Sequence, residues 1–389
     1  MRKTIAASAL LVAALAAFAA APPAAVPAAW LELIERLGSE DFDTRKAAEK
    51  KLGELGEDVL PLLRKVGKSP GDADVRLRAI VLAADVEKRL DREVRVFEGH
   101  AQGVLAFALS PDGKRIASGA WQNATENVGR VWDVATGKEL FQLVGHTACV
   151  GGVAWSADGR HIVTGGNDGR LILWDGGSGK LLKEFSGDTS SIRCVALSRD
   201  GKKAVTCGFE REARVWDLEK GRQLGANADG PGVFKGAAML SGGKEFAAVS
   251  TDGSVRVIDL VTFKLVRRMD TSHAVGAQAV AASPDGKRVA SGGLDGTVRL
   301  HDVVTGKLVK ELKAHAGEAH AVAFSPDGKR LISGGADKVA VIWDIETGKT
   351  IQKLEGHTDM ITCAAFLPTG RGAVTSSYDK TLRLWHVRR

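Results

Sequence analysis

Cysteine is scarce in this chain: Cys149, Cys194, Cys207 and Cys363 are the only four among 389 residues. They are too few and too scattered for a disulfide framework, and no two have the short spacing of a zinc site. They read as small hydrophobes in strands, with a Cys194–Cys207 bridge across one hairpin as the alternative. Tyrosine occurs once, against eight tryptophans and twelve phenylalanines. No run of Lys and Arg interleaved with aromatics is present, so specific nucleic-acid recognition has no footprint. Positive charge exceeds negative by seven. That excess reads as a solubility bias spread over the surface, the alternative being a partner of acidic character.

A long apolar run occurs near the N-terminus. Arg2 and Lys3 precede an uninterrupted stretch from Ile5 to Ala21, ending in small residues such as Ala17-Phe18-Ala19. A basic head, an apolar middle and a small-residue end make residues 1–21 a signal peptide, followed by a Pro/Ala spacer over 22–29. Export to the periplasm or outside the cell is expected. An uncleaved segment would instead anchor the chain, although the run is a little short of the ~20 residues a span needs. With cleavage, no stable membrane span is expected.

From 30 to 92 the apolar residues follow a helical period. Ala48, Leu52 and Leu55 recur on one face, and Leu77, Ile80, Val81 and Ala84 on another. Gly38, Gly56 and Ser69-Pro70-Gly71 divide the segment into about four short helices. Ser39, Asp41 and Asp43 offer N-cap oxygens for the second helix, and Asp72 or Asp74 for the fourth. Asp41-Phe42-Asp43-Thr44-Arg45 before an alanine-rich helix resembles HEAT-like helix pairs. So small a helical domain buries little surface alone, so it is expected to dock on the rest of the chain or on a partner.

Beyond residue 93 the chain repeats. Turn glycines fall at Gly113, Gly159, Gly201, Gly243, Gly286, Gly328 and Gly370, about 42 residues apart. Most follow aspartate, as in Ser110-Pro111-Asp112-Gly113, a strong hairpin signal. A second set stands at Gly137, Gly179, Gly221, Gly306 and Gly348, with Phe263 replacing glycine in one unit. Short apolar runs between these turns give seven units of four strands over 93–389. Gly99-His100, Gly145-His146 and Gly356-His357 open units, and Trp132-Asp133, Trp174-Asp175, Trp216-Asp217 and Trp343-Asp344 close third strands. Together these features resemble the WD-repeat family, which implies a mainly β fold: a seven-bladed β-propeller behind a small all-α domain. The last unit lacks an outer strand, and Glu93–Phe97 precedes the first unit, so pairing of the two should close the ring.

The resemblance also implies a hydrogen-bonded His, Ser or Thr, Asp and Trp set within a blade. Three sets are complete: His146, Thr164, Asp168 and Trp174; His315, Ser333, Asp337 and Trp343; His357, Thr375, Asp379 and Trp385. They contain the residues of a hydrolase triad, but a set repeated around a ring and built with tryptophan reads as buried structural bonding. Elsewhere Asp188 and Glu210 stand at the histidine and aspartate positions of the third unit. Pro231 and Ile258 replace His and Trp in the fourth, and His301 replaces Trp in the fifth beside Ser272-His273. An insertion at 122–126 interrupts the first.

Partners are expected on the face built by the Gly-His loops and the loops before the aspartate. Trp121, Phe209 and Tyr378 stand immediately before that aspartate position, and Phe234 and Met360 three residues after the histidine position. Trp121, Tyr378 and Met360 are expected to form one apolar patch across neighbouring blades. No catalytic, cofactor-binding or metal-ligating residue stands out. The reading is a monomeric, non-catalytic scaffold or recognition module for a protein or peptide. The alternatives are a propeller enzyme or cofactor-binding protein, and a salt-sensitive binder of anionic polymers.

Overall fold

The computed structural model describes residues 26–91, 93–121, 127–185, 191–269, 273–313 and 315–388. The signal segment, Asp188, Ser272 and the 122–126 insertion lie outside the described residues. The chain forms two compact units, Met1–Val86 and Glu87–Arg389.

The first unit contains α1 (Ala28–Arg36), α2 (Phe42–Glu54), α3 (Leu60–Gly67) and most of α4 (Ala73–Leu90), with a 3₁₀ turn at Gly56–Val59. Asp41 caps α2 by accepting the Thr44 N–H at 2.8 Å. Asp72 does the same for α4, accepting from Asp74 at 2.7 Å. Leu37, Leu52, Val59 and Leu63 are completely buried. The expected inner face of α4 is wrong by one stripe: Leu77, Ile80 and Val81 are exposed, while Ala79, Ala83 and Val86 are buried. Both stripes have helical spacing, and the alanines permit closer helix approach, a choice that periodicity alone cannot make.

The second unit is a propeller of seven four-stranded antiparallel blades. Blade one runs through Val104–Leu109, Arg115–Ala120, Val128–Asp133 and Glu139–Val144, innermost strand first. Blade four runs through Phe234–Met239, Glu245–Ser250, Val255–Asp259 and Leu265–Arg268. Its repeating turns explain the glycines. Gly113 has φ +69°, while Asp112 receives the Ser110 hydroxyl at 2.6 Å and the Lys114 N–H at 3.0 Å.

Blade seven supplies Ile361–Phe366, Gly372–Ser377 and Leu382–His386, and takes Glu93–Phe97 as its outer strand. Phe97 lies opposite Leu382 and Arg95 opposite Leu384. The Thr362 hydroxyl donates to the Val104 carbonyl at 2.7 Å, linking the last inner strand to the first. Ring closure thus joins residues more than 250 positions apart.

Each neighbouring pair of blades shares a hydrophobic layer. Between blades seven and one it contains Phe97, Val104, Ile116, Trp132 and Leu382; between three and four, Val205, Val215, Phe234, Phe246 and Ile258. All four cysteines are free thiols, Cys194 and Cys207 included, although those two face each other in the ladder. Burial pushes the Cys194 thiol up to about 11, which keeps it unreactive.

Candidate functional site

The His–Ser/Thr–Asp–Trp sets form the rigid frame beneath the loops. In blade two the Thr164 hydroxyl meets His146 Nε2 at 2.7 Å and accepts the Trp174 indole N–H at 2.8 Å, while His146 Nδ1 faces Asp168 at 3.1 Å. Blade six repeats this through His315, Ser333, Asp337 and Trp343, with contacts of 2.9 Å at each step. In blade seven His357, Thr375, Asp379 and Trp385 all meet at 2.7 Å. Blade five supplies three members of a set that the sequence did not complete: His273 lies 3.0 Å from Asp295 and 2.9 Å from Ser291. Blade one joins His100 and Trp132 through Ser118. The hub oxygens belong to completely buried residues, Thr164, Ser333 and Thr375 among them. No external substrate reaches them as nucleophiles. Burial pushes the Asp379 carboxyl up, but hydrogen bonds from His357 and Thr381 outweigh it and hold the group well below the usual carboxylate range.

Blade four is built differently. Its inner strand begins at Phe234, opposite Ser250, just as Val150 lies opposite Gly166 and Ile361 opposite Ser377. Counting back from that strand start puts Gly230, not Pro231, at the histidine position. The buried Arg256 guanidinium takes the vacant space: a Cβ on Gly230 would lie 2.2 Å from it. Arg256 pairs with Asp252, donates to the Asp229 carbonyl, and stacks 5.3 Å from the Phe234 ring centre. Phe234 itself is completely buried. It therefore drops out as a partner-binding residue, because the one-residue slip makes it the first residue of the inner strand.

The bulges set the chemistry of the channel mouth. Each inner strand has a register shift after its first residue. The bulged residue leaves the ladder and lines a cavity of about 320 Å³. Blades three and four place Arg193 and Lys235 there; the other blades place Leu105, Gly151, Gln278, His320 and Thr362. His320 Nε2 lies 3.0 Å from Glu318, and burial holds its ring below the usual imidazole range.

Above this ring, Arg193 stands 5.6 Å from the Trp121 ring centre and 5.1 Å from that of Phe209, and Lys235 lies 4.9 Å from Phe209. Blade two has only Gly151 between them, so its ring position presents no side chain between Arg193 and the Trp121 of blade one. Trp121 is 40% exposed and Phe209 48%, so both rings remain partly open to solvent. Among the described residues, neither cation reaches a carboxylate. Burial, then the Arg193 charge, lowers the Lys235 proton affinity.

The residues of the expected apolar patch lie around one loop, where the Gly103 carbonyl accepts the Trp121 N–H at 2.8 Å. Met360 and Tyr378 line the mouth, and a Cβ on Gly103 would lie 2.3 Å from the Tyr378 ring. Tyr378 thus packs on the neighbouring loop, while the Trp121 ring also meets Arg193 of blade three. Sequence reasoning missed Arg193 and Lys235. Their signal was present: each directly follows the first residue of an inner strand, the same place in every repeat.

The family model described as "WD domain, G-beta repeat" matches residues 91–133, 137–175, 179–217, 264–302, 306–344 and 348–386. The unmatched interval between 217 and 264 holds the three inner strands of blade four. Among curated proteins, the chain is 35% identical over 107 residues to ribosome assembly protein 4 of Chaetomium thermophilum, covering 27% of this chain and 20% of that protein. It is 31% identical over 87 residues to the U5 small nuclear ribonucleoprotein 40 kDa protein of Bos taurus, covering 21% and 23%. It is 27% identical over 113 residues to a component of chromatin assembly factor 1 from Gallus gallus, covering 28% and 18%. The chain thus spans about a fifth of the length of these relatives. Six matched repeats on a ring of seven blades make this chain a member of the WD-repeat family.

Proposed function

We propose that the chain is an exported, non-catalytic recognition scaffold whose channel mouth receives a segment of a partner protein. One observation carries this reading above the others: Arg193 sits between two half-exposed aromatic rings in loops, where folding gains little from them. Interface hot spots have this composition, with aromatic and Arg side chains around a depression. The hydroxyls that resemble nucleophiles are buried in the blade frame, and no group of metal-ligating side chains occurs among the described residues. The names of these relatives refer to assembly of ribosomes and chromatin and to a ribonucleoprotein particle, in keeping with a scaffold. Export rests on Arg2, Lys3 and the apolar run after them. No helix among the described residues is long and apolar enough to cross a membrane.

The test is capture from an envelope extract on immobilised mature protein, at low and high salt, beside the Trp121→Ala/Phe209→Ala variant. A discrete protein retained by the wild type and lost by the variant is expected. Identical capture by both would remove the channel mouth from recognition. N-terminal sequencing of protein from fractionated cells tests export: the expected chain starts between residues 18 and 23, outside the cytoplasm.

A further inference from the structure

Arg193 and Lys235 occupy equivalent bulge positions on adjacent blades, and both approach the same Phe209 ring. Their distances to its centre, 5.1 Å and 4.9 Å, place the two charges within 10 Å of one another. That is about one screening length at physiological salt, and both side chains are half-buried, where screening is weaker still. No described carboxylate answers either charge. Elsewhere in the same propeller comparable arginines are paired: Arg256 with Asp252, Arg299 with Asp295, Arg214 with Glu210. The channel mouth holds two cations without a partner of the kind these third-strand arginines have.

Resting on the recognition reading above, we propose that this site binds an acidic protein segment. An Asp or Glu side chain is held by Arg193 and Lys235, and an apolar neighbour lies against the exposed parts of Trp121 and Phe209. The carboxylate relieves the repulsion between the cations, and each charge-assisted hydrogen bond is stronger than a neutral one. The rest of the mouth favours a peptide over a polyanion. Leu105, Gly151, Gln278, Thr362, Met360 and Tyr378 offer no further positive charge, and the His320 ring faces Glu318 at 3.0 Å with burial holding it below the usual imidazole range. A polymer with regularly spaced phosphates finds two cations and then neutral surface, whereas a peptide with one acidic residue among apolar ones matches both parts.

Selection of displayed random peptides on the immobilised full-length mature chain tests this. The wild type is expected to enrich Asp or Glu beside Leu, Phe or Trp. Arg193→Gln/Lys235→Gln should lose that enrichment and weaken the best peptide at least tenfold in fluorescence anisotropy. Gln278 already occupies the same position in blade five, so glutamine suits the fold there. Arg193→Glu/Lys235→Glu should turn the preference towards Lys and Arg. Acidic enrichment that survives the glutamine variant would overturn the proposal. So would inorganic polyphosphate binding more tightly than every selected peptide. Selection of purely apolar peptides that depend on Trp121 and Phe209 would overturn it too, while leaving the recognition reading intact. If no peptide is selected and no partner is captured from extract, the recognition reading itself falls.

Discussion

In blade seven one hydroxyl, that of Thr375, meets His357 and Trp385 together, and His357 meets Asp379 behind it. In blade four Ala248 stands at the place of Thr375, Ile258 at the place of Trp385 and Gly230 at the place of His357. All three polar groups that shared the hub are gone together, so none is left buried without a partner. The remaining acid, Asp252, is answered by Arg256 from the next strand. Yet strand order and bulge position are the same in the two blades. In these two blades the buried polar set is kept whole or replaced whole, because an orphaned buried group costs more than one bond contributes. Blades one and five keep parts of it whose members still meet one another. What both blades need is the apolar layer on each side, which in blade four comes from Phe234, Phe246 and Ile258.

The largest expected difference between the two comes from ring closure, which only blade seven carries. Deleting residues 93–97 removes its outer strand and the completely buried Phe97. The loss should exceed about 3 kcal/mol, the scale of a buried phenylalanine alone. A thermal unfolding midpoint equal to wild type would show that this strand does not close the ring. Next comes Arg256→Met in blade four, which removes the buried guanidinium and leaves the half-buried Asp252 with only Arg268 at 4.0 Å; it should cost about 3 kcal/mol. Adding Asp252→Asn should recover most of it in chemical denaturation. Thr375→Val in blade seven orphans two partners at once and should cost about 2 kcal/mol.

A smaller effect separates the blades by pH. Burial pushes His273 in blade five and His315 in blade six below the usual imidazole range, against the pull of Asp295 and Asp337. The unfolded chain, titrating near 6.5, then binds protons more readily than the fold. Their contribution is fully present above that value and is lost as pH falls through the depressed folded values. Hydrogen exchange at pH 5 against pH 7, corrected for intrinsic rates, should show weakened protection in 277–302 and 319–344. Blade four, with no histidine in its frame, should keep its protection over 234–259. Equal loss everywhere would assign the effect to global charge instead.

The smallest effect lies in one turn. Lys380 of blade seven is exposed and has φ +74°, a left-handed conformation that costs a non-glycine residue ~1–2 kcal/mol. Lys380→Gly should stabilise by about 0.5 kcal/mol after the entropy cost of glycine. The equivalent glycine of blade four, Gly253, tolerates no such exchange, since a Cβ there would lie 1.7 Å from the His273 carbonyl oxygen. A lowered midpoint for Lys380→Gly would mean the lysine side chain contributes more than its strained backbone costs.

Much of this was legible beforehand. The turn glycines recur because a tight hairpin needs positive φ, and a fixed loop length gives them a period. His146, Thr164, Asp168 and Trp174 were recognisable because strand register fixes their spacing. Blade four misled because, with neither His nor Trp to fix the register, Pro231 was read at the histidine position; the strand start places Gly230 there and makes Phe234 the buried first residue of the strand. In α4 two overlapping apolar stripes left the buried one undecided. At the channel mouth the aromatics were visible, but not the cations that reach them.

Local spacing and backbone preference are enough to specify the turns between strands, each written within a few dozen residues, and their repetition gives the number of blades. The closing strand was legible only from the two ends of the repeat region together, and the polar frame only through the resemblance to the WD-repeat family. Folding of the whole ring was needed to bring Arg193 over Gly151 towards Trp121, to make Lys235 share Phe209 with it, and to fill the space left at Gly230 with Arg256. Those contacts join residues from different blades or from both ends of one blade. No local pattern encodes which side chains a closed ring brings face to face.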